Sequence, residues 1–115
     1  MYKDIDCVNI ELTDKCNSKC PQCHRTDAQN GCKPYSWIQN IEWSVEDFKK
    51  AFPKPNLKLF YFCGTFGDPL MCNDLYEIVK YIMENSSSQV LLSTNASVRD
   101  EDWWFLFSQW GDRVH

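Results

Sequence analysis

Three short runs rich in β-branched and aromatic residues alternate along this chain with three amphipathic stretches, and that alternation limits the fold more than any other feature. Cys7-Val8-Asn9-Ile10-Glu11-Leu12 alternates apolar and polar positions as a strand does. Ser44 is a good N-cap with Glu46 and Asp47 behind it, and Val45, Phe48 and Phe52 recur at helical spacing until Pro53. Leu57 to Phe62 reads as the second strand. Asp74 and Glu77 resemble a capping box, opening a helix with Leu75, Ile78, Val79 and Ile82 on one face and Ser86-Ser87-Ser88 at its end. Val90 to Ser93 is a short strand of the buried kind. A last helix begins near Asp100, with Trp103, Leu106, Phe107 and Trp110 on one face and Gly111 suited to the position after its end. Arg113-Val114-His115 could open a fourth strand, whereas Thr26 to Asn40 is polar, holds Gly31 and Pro34, and reads as an irregular excursion.

Strand–helix alternation predicts an α/β fold with a parallel sheet and right-handed crossovers. Sheets of this kind place ligands outside the carboxyl ends of their strands, where the loops after Leu12, Phe62 and Ser93 all fall. No repeat or linker divides the 115 residues, so residues 1–115 are expected to form one domain. Charged residues make up 24% and the chain has only four Gly and five Pro, which excludes disordered and collagen-like classes. No run is long enough to cross a bilayer, and Met1 to Asp6 lacks the start of a signal peptide, so a soluble cytoplasmic protein is expected. Twelve scattered basic residues against sixteen acidic ones leave no electrostatic footprint for nucleic acid.

Seven cysteines, an odd number in a chain without an export signal, argue against a disulfide framework and for metal or redox chemistry. Cys16, Cys20 and Cys23 form a C-x3-C-x2-C triplet on the loop after the first strand. Three thiolates so spaced can converge on one metal centre, and sulfur ligands suit zinc or an iron–sulfur cluster. Three ligands leave one iron of a four-iron cluster open, as a catalytic cluster needs. A structural zinc site completed by His24 or Cys32 fits the triplet equally well.

Three segments in order carry a resemblance. Glu11-Leu12-Thr13-Asp14-Lys15-Cys16-Asn17-Ser18-Lys19-Cys20-Pro21-Gln22-Cys23 resembles the signature of the radical S-adenosylmethionine (radical SAM) superfamily. Phe62-Cys63-Gly64-Thr65-Phe66-Gly67-Asp68-Pro69-Leu70 resembles its Gly-Gly-Glu-Pro motif, and Leu92-Ser93-Thr94-Asn95-Ala96-Ser97 its Thr-Asn-Gly segment. The resemblance implies that Cys16, Cys20 and Cys23 bind a [4Fe–4S] cluster whose fourth iron chelates S-adenosylmethionine. An external one-electron reductant of flavodoxin or ferredoxin type would feed the cluster, and an unidentified substrate would yield a hydrogen atom. It further implies a partial (β/α)6 TIM-like barrel, of which this chain supplies the first three β/α units. The remaining half would come from more of the same protein or from a completing chain.

Gly64, Gly67, Asp68 and Pro69 are candidate cofactor contacts: Gly67 would let backbone approach the ligand, and Asp68 offers an acceptor for a cationic amino group. Asp68 is one methylene shorter than the family's Glu, and Phe66 stands where the first Gly is usual. Ser93, Thr94 and Asn95 could contact cofactor or substrate, or serve as turn and capping groups. Gln22 occupies the place of the family's aromatic residue and is a candidate for the adenine edge. Cys7, Cys63 and Cys72 are expected to pack as small hydrophobes, and Cys32 and His24 to be bystanders. Trp104 and Phe105 fall outside the last helix's apolar stripe.

Overall fold

The computed structural model describes residues 4–115. In chain order its elements are β1 (Cys7–Ile10), β2 (Thr26–Asp27), β3 (Lys33–Pro34), α1 (Val45–Ala51), β4 (Leu59–Phe62), α2 (Leu75–Asn85), β5 (Gln89–Leu92) and α3 (Glu101–Phe105). Single 3-10 turns occur at Ala28–Asn30, Pro69–Met71 and Ser108–Trp110. β1, β4 and β5 make a parallel sheet in that order, with Asn9 opposite Tyr61 and Tyr61 opposite Leu91. Val90 adds a parallel bridge to Val114, supported by hydrogen bonds from Val90 N to Arg113 O (2.8 Å) and from His115 N to Val90 O (2.9 Å). The alternation thus gives an α/β fold whose strands lie side by side in sequence order. Three strands and the first bridge of a fourth form an open sheet, not a closed barrel.

One face of this sheet is packed and the other is not. Ile10, Phe60, Phe62 and Val90 are buried, joined by Phe48 of α1, by Leu75, Ile78, Val79, Ile82 and Met83 of α2, and by Phe107. Full burial of such a side chain contributes roughly 1.5–3 kcal/mol, so this layer dominates the stability. Phe48 is its hub, with Phe52, Phe60, Phe62, Trp43 and Tyr81 around its ring. On the opposite face Asn9 and Leu91 are exposed and Tyr61 is half-buried.

Local chemistry explains where the elements begin. Ser44 and Asp47 form a reciprocal capping box at α1. The capping box expected at Asp74 and Glu77 does not form: Asp74 makes no side-chain cap on α2. Its carboxylate accepts from Val45 N (2.9 Å) and caps the neighbouring helix instead. Gly111 has φ −60°, so it does not take the left-handed position expected after a helix, and the chain leaves by the turn at Ser108–Trp110. Leu106, expected on the apolar face, is 42% exposed because α3 stops at Phe105 and the following turns change the period. The polar excursion holds more order than its composition predicts. Thr26 pairs with Pro34 and Asp27 with Lys33 across a short hairpin whose turn has Gly31 at φ +67°.

Candidate functional site

The segment between β1 and the cysteines is held as firmly as a strand. Thr13 pairs with Glu42 in an antiparallel bridge, its hydroxyl donates to Ile41 O (2.7 Å), and Trp43 N donates to Leu12 O (2.8 Å). Lys15 Nζ meets the Glu42 carboxylate at 2.5 Å, and Asn73 N donates to the same group at 2.8 Å. Those two donors hold the Glu42 carboxyl below its ordinary value of 4.5.

The cysteine loop follows this segment. Cys16 and Cys23 are partly buried and Cys20 is exposed. Cys23 N closes a turn on Cys20 O (3.1 Å), and the buried Thr26 hydroxyl donates to Cys20 O (2.8 Å). Cys16 Sγ accepts from Ser18 N at 3.4 Å and, more weakly, from Asn95 Nδ2 at 3.9 Å. Among the described residues no three His, Cys, Asp or Glu side chains converge on the position of a single ion. Thiolates as a donor set suit zinc or an iron–sulfur cluster in chemistry.

The second motif loop packs against this segment at contact distance. A Cβ on Gly67 would lie 1.8 Å from Thr13 O, and one on Gly64 would lie 2.3 Å from Gly67 O. Neither glycine has a positive φ, so both are required for space. The close approach foreseen for Gly67 is therefore made to the chain's own backbone. Glu11 Oε1 accepts from Phe66 N (2.6 Å) and Gly67 N (2.8 Å), Asp68 N donates to Lys15 O (2.8 Å), and Arg25 Nε donates to Phe66 O (2.6 Å). The Phe66 ring turns outward against Trp37, edge to face at 5.2 Å. An aromatic residue at the first-glycine position thus costs no backbone strain here.

Asp68 is 4% exposed and its carboxylate is occupied. Leu70 N donates to it at 2.9 Å, Asn95 N at 2.8 Å and the Thr94 hydroxyl at 2.7 Å. The short side chain thereby caps the turn that begins at buried Pro69 and binds the second motif loop to the third. Asn95 extends the connection, with Nδ2 donating to Ser18 Oγ (2.7 Å) and Asn17 Oδ1 (3.2 Å), while Asn17 Nδ2 donates to Ser97 Oγ (2.7 Å). Ser93 is exposed just beyond β5. All three motif loops are therefore fastened into one edge by side chains drawn from the motifs themselves.

Gln22 is exposed and lines an open hollow of about 590 Å³ with Pro21, Cys23, His24 and Tyr35. Cys72 is fully buried, and burial pushes its thiol up to about 11. Cys63 is only partly buried, and Cys7 is exposed because its strand position faces the uncovered side of the sheet, so the packing expected for Cys7 does not occur. Cys32 is partly buried at the end of the hairpin turn, with φ 55°. Sequence reasoning gave Glu11 no role although it stood inside the first motif, and it passed over Arg25. Both act at a distance of tens of residues, which no local pattern encodes.

No protein-family model matches the chain. A 7,8-dihydro-6-hydroxymethylpterin dimethyltransferase of Methanocaldococcus jannaschii is 29% identical over 88 residues, 76% of this chain and 17% of the relative. A GTP 3',8-cyclase of Aquifex aeolicus is 27% identical over 96 residues, 83% of this chain and 29% of the relative. A probable GTP 3',8-cyclase of Methanocaldococcus jannaschii is 28% identical over 93 residues, again 29% of its length. The similarity supports kinship with radical SAM enzymes at the level of the superfamily. The chain spans less than a third of the length of these curated relatives. Among the described residues no helix is long and apolar enough to cross a membrane.

Proposed function

We propose that this chain carries the cluster-binding part of a radical SAM enzyme, with Cys16, Cys20 and Cys23 as ligands of a [4Fe–4S] cluster and S-adenosylmethionine on the fourth iron. The observation that carries this reading is the joining of the three motif loops at the carboxyl edge of β1, β4 and β5 through Glu11, Arg25, Asp68, Thr94 and Asn95. Held by Cys16, Cys20 and Cys23, such a cluster would supply one-electron reductive cleavage of S-adenosylmethionine, the chemistry that hydrogen abstraction from a substrate would need.

The residues of this chain position and shield. The carbonyls of Cys63, Gly64 and Thr65 accept no hydrogen bond from the described residues, which leaves them for the amino group of the cofactor. Asp68 serves that group indirectly, by fixing the loop that bears those carbonyls, and Pro69 and Gly67 fix its shape. Gln22 is assigned to the adenine edge, and Ser93 to cofactor or substrate. A flavodoxin- or ferredoxin-like donor supplies the electron at the exposed side of Cys20, and further strands complete the barrel.

Anaerobic reconstitution of the complete protein with iron and sulfide tests the ligand assignment. Wild type should bind about four irons per chain, and Cys16→Ala, Cys20→Ala and Cys23→Ala should each lose most of that iron. Full iron in the triple variant, or zinc held in preference to iron, overturns the reading. Release of 5′-deoxyadenosine by the reconstituted protein under reducing conditions separates an enzyme from a cluster-bearing scaffold.

A further inference from the structure

We infer that Asn95 is a positioning residue whose side-chain amide hydrogen-bonds the Cys16 thiolate; the inference rests on the cluster reading above. Among the described residues, Cys16 Sγ alone of the three motif sulfurs has N–H donors facing it, Ser18 N at 3.4 Å and Asn95 Nδ2 at 3.9 Å. The Asn95 amide is fixed from several sides. Its backbone N donates to Asp68 Oδ2 (2.8 Å), and its Oδ1 accepts from Ser97 N (2.9 Å) and from the Ser97 hydroxyl (2.5 Å). A backbone N–H donates and never accepts, so Ser97 N holds the carbonyl end and turns Nδ2 toward the cysteine loop. There Nδ2 meets Ser18 Oγ (2.7 Å), Asn17 Oδ1 (3.2 Å) and Cys16 Sγ.

Two N–H bonds thus face three acceptors. Ser18 Oγ, the nearest, engages one, and the other is shared between Asn17 Oδ1 and Cys16 Sγ. A neutral thiol is a weak acceptor, which accounts for the long 3.9 Å approach, and in that state Asn17 holds the proton. Cysteine binds a metal as thiolate. A charged acceptor makes the shorter and stronger bond, so ionised Cys16 draws the second N–H away from Asn17. Hydrogen bonds to the sulfurs help to set the reduction potential of an iron–sulfur cluster. Reduction adds negative charge, so a donor on the Cys16 sulfur favours the reduced form and raises the potential. The third motif segment thereby acts on a cluster ligand, which a plain turn or cap would not do.

The test is the midpoint potential of the reconstituted cluster in the complete protein, measured without S-adenosylmethionine for wild type, Asn95→Ala, Asn95→Asp and Ser97→Ala. Iron content and circular dichroism of each sample show that fold and cluster are retained. Asn95→Ala removes the donor; Asn95→Asp removes it too but keeps an oxygen for Ser97 N. All four proteins are measured in 1 M salt, where the screening length of about 3 Å mutes the charge that aspartate adds. Both Asn95 variants should lower the reduction equilibrium constant at least about threefold, which is about 28 mV at 59 mV per tenfold for a one-electron couple. Ser97→Ala loses one bond to Oδ1 but leaves the amide in place, and should stay within about twofold of wild type. Iron-replete Asn95 variants with the wild-type potential overturn the inference, and so does an equal fall in Ser97→Ala, which would trace the effect to a loosened turn. Should Asn95→Ala lose its cluster, Asn95→Asp decides by the same threefold criterion. Wild type that binds no iron would overturn the cluster reading itself, an outcome separate from unchanged potentials on an intact cluster.

Discussion

Gly67→Ala puts the joining of the motif loops to the most direct stability test. An alanine Cβ would sit 1.8 Å from Thr13 O and 2.6 Å from Thr13 C, and both are backbone atoms of a segment fixed by its own bridge to Glu42. Real contacts of this kind do not fall below 3.0 Å, so the loop must retreat by about 1.2 Å. A retreat of that size breaks the bond from Gly67 N to the Glu11 carboxylate and the bond from Asp68 N to Lys15 O, both 2.8 Å long. A hydrogen bond to a charged group contributes roughly 1.5–3 kcal/mol and a neutral one about 1 kcal/mol, so the expected loss is about 2.5–4 kcal/mol. That is a large fraction of a domain's total stability of roughly 5–15 kcal/mol. Urea unfolding followed by circular dichroism measures it as a lower midpoint at unchanged slope. Gly111→Ala is the control, since its Cβ would meet Ser108 O at 3.4 Å with an ordinary φ, and it should change stability by less than about 0.5 kcal/mol. A Gly67→Ala protein as stable as Gly111→Ala would refute the argument.

Three further outcomes follow from individual groups. Ala96 has φ 54° where the family's segment has Gly, so Ala96→Gly should stabilise the fold by about 0.5–1 kcal/mol in the same assay; a loss of stability would contradict the strain. Glu42 has its folded value lowered below 4.5, so the stability it adds is present above that pH and is lost as pH falls through the lowered value. Glu42→Gln should therefore be less stable than wild type at pH 7, with the gap closing at acid pH, and a gap constant with pH would contradict the assignment. Alkylation of the apoprotein at pH 8, read by mass spectrometry, should label exposed Cys7 and Cys20 first and leave Cys72 until unfolding; early labelling of Cys72 would show that the core layer is not closed.

The readable part of this molecule was the part encoded locally. Ser44 capped α1 as its pattern required, and the apolar run beginning at Val90 marked a strand, observed at Gln89–Leu92, that pairs in parallel with Leu59–Phe62. What escaped was set by contacts across the chain. Asp74 had the sequence of an α2 cap, yet the nearness of Val45 N drew its carboxylate to another helix. Cys7 looked like a core residue because a free cysteine within a strand packs as a small hydrophobe, but strand parity turned it to the uncovered face. Hairpin pieces of two residues, Thr26–Asp27 and Lys33–Pro34, are too short to show any period. At the candidate site the motif residues were visible in order, but their work was not. Asp68 stood out as an acceptor for a ligand, and its place between Leu70, Thr94 and Asn95 makes it the fastening between two loops.

On the proposed reading the cysteine triplet holds a cluster with one iron open to S-adenosylmethionine. The most direct measurement is the electron paramagnetic resonance spectrum of the dithionite-reduced cluster in the complete, reconstituted protein, with and without that cofactor. Coordination of its amino and carboxylate groups at the open iron predicts a reduced-cluster signal whose g-values shift on addition, and Cys16→Ala should abolish the response. An intact reduced cluster whose signal is the same with saturating S-adenosylmethionine as without it would contradict the account.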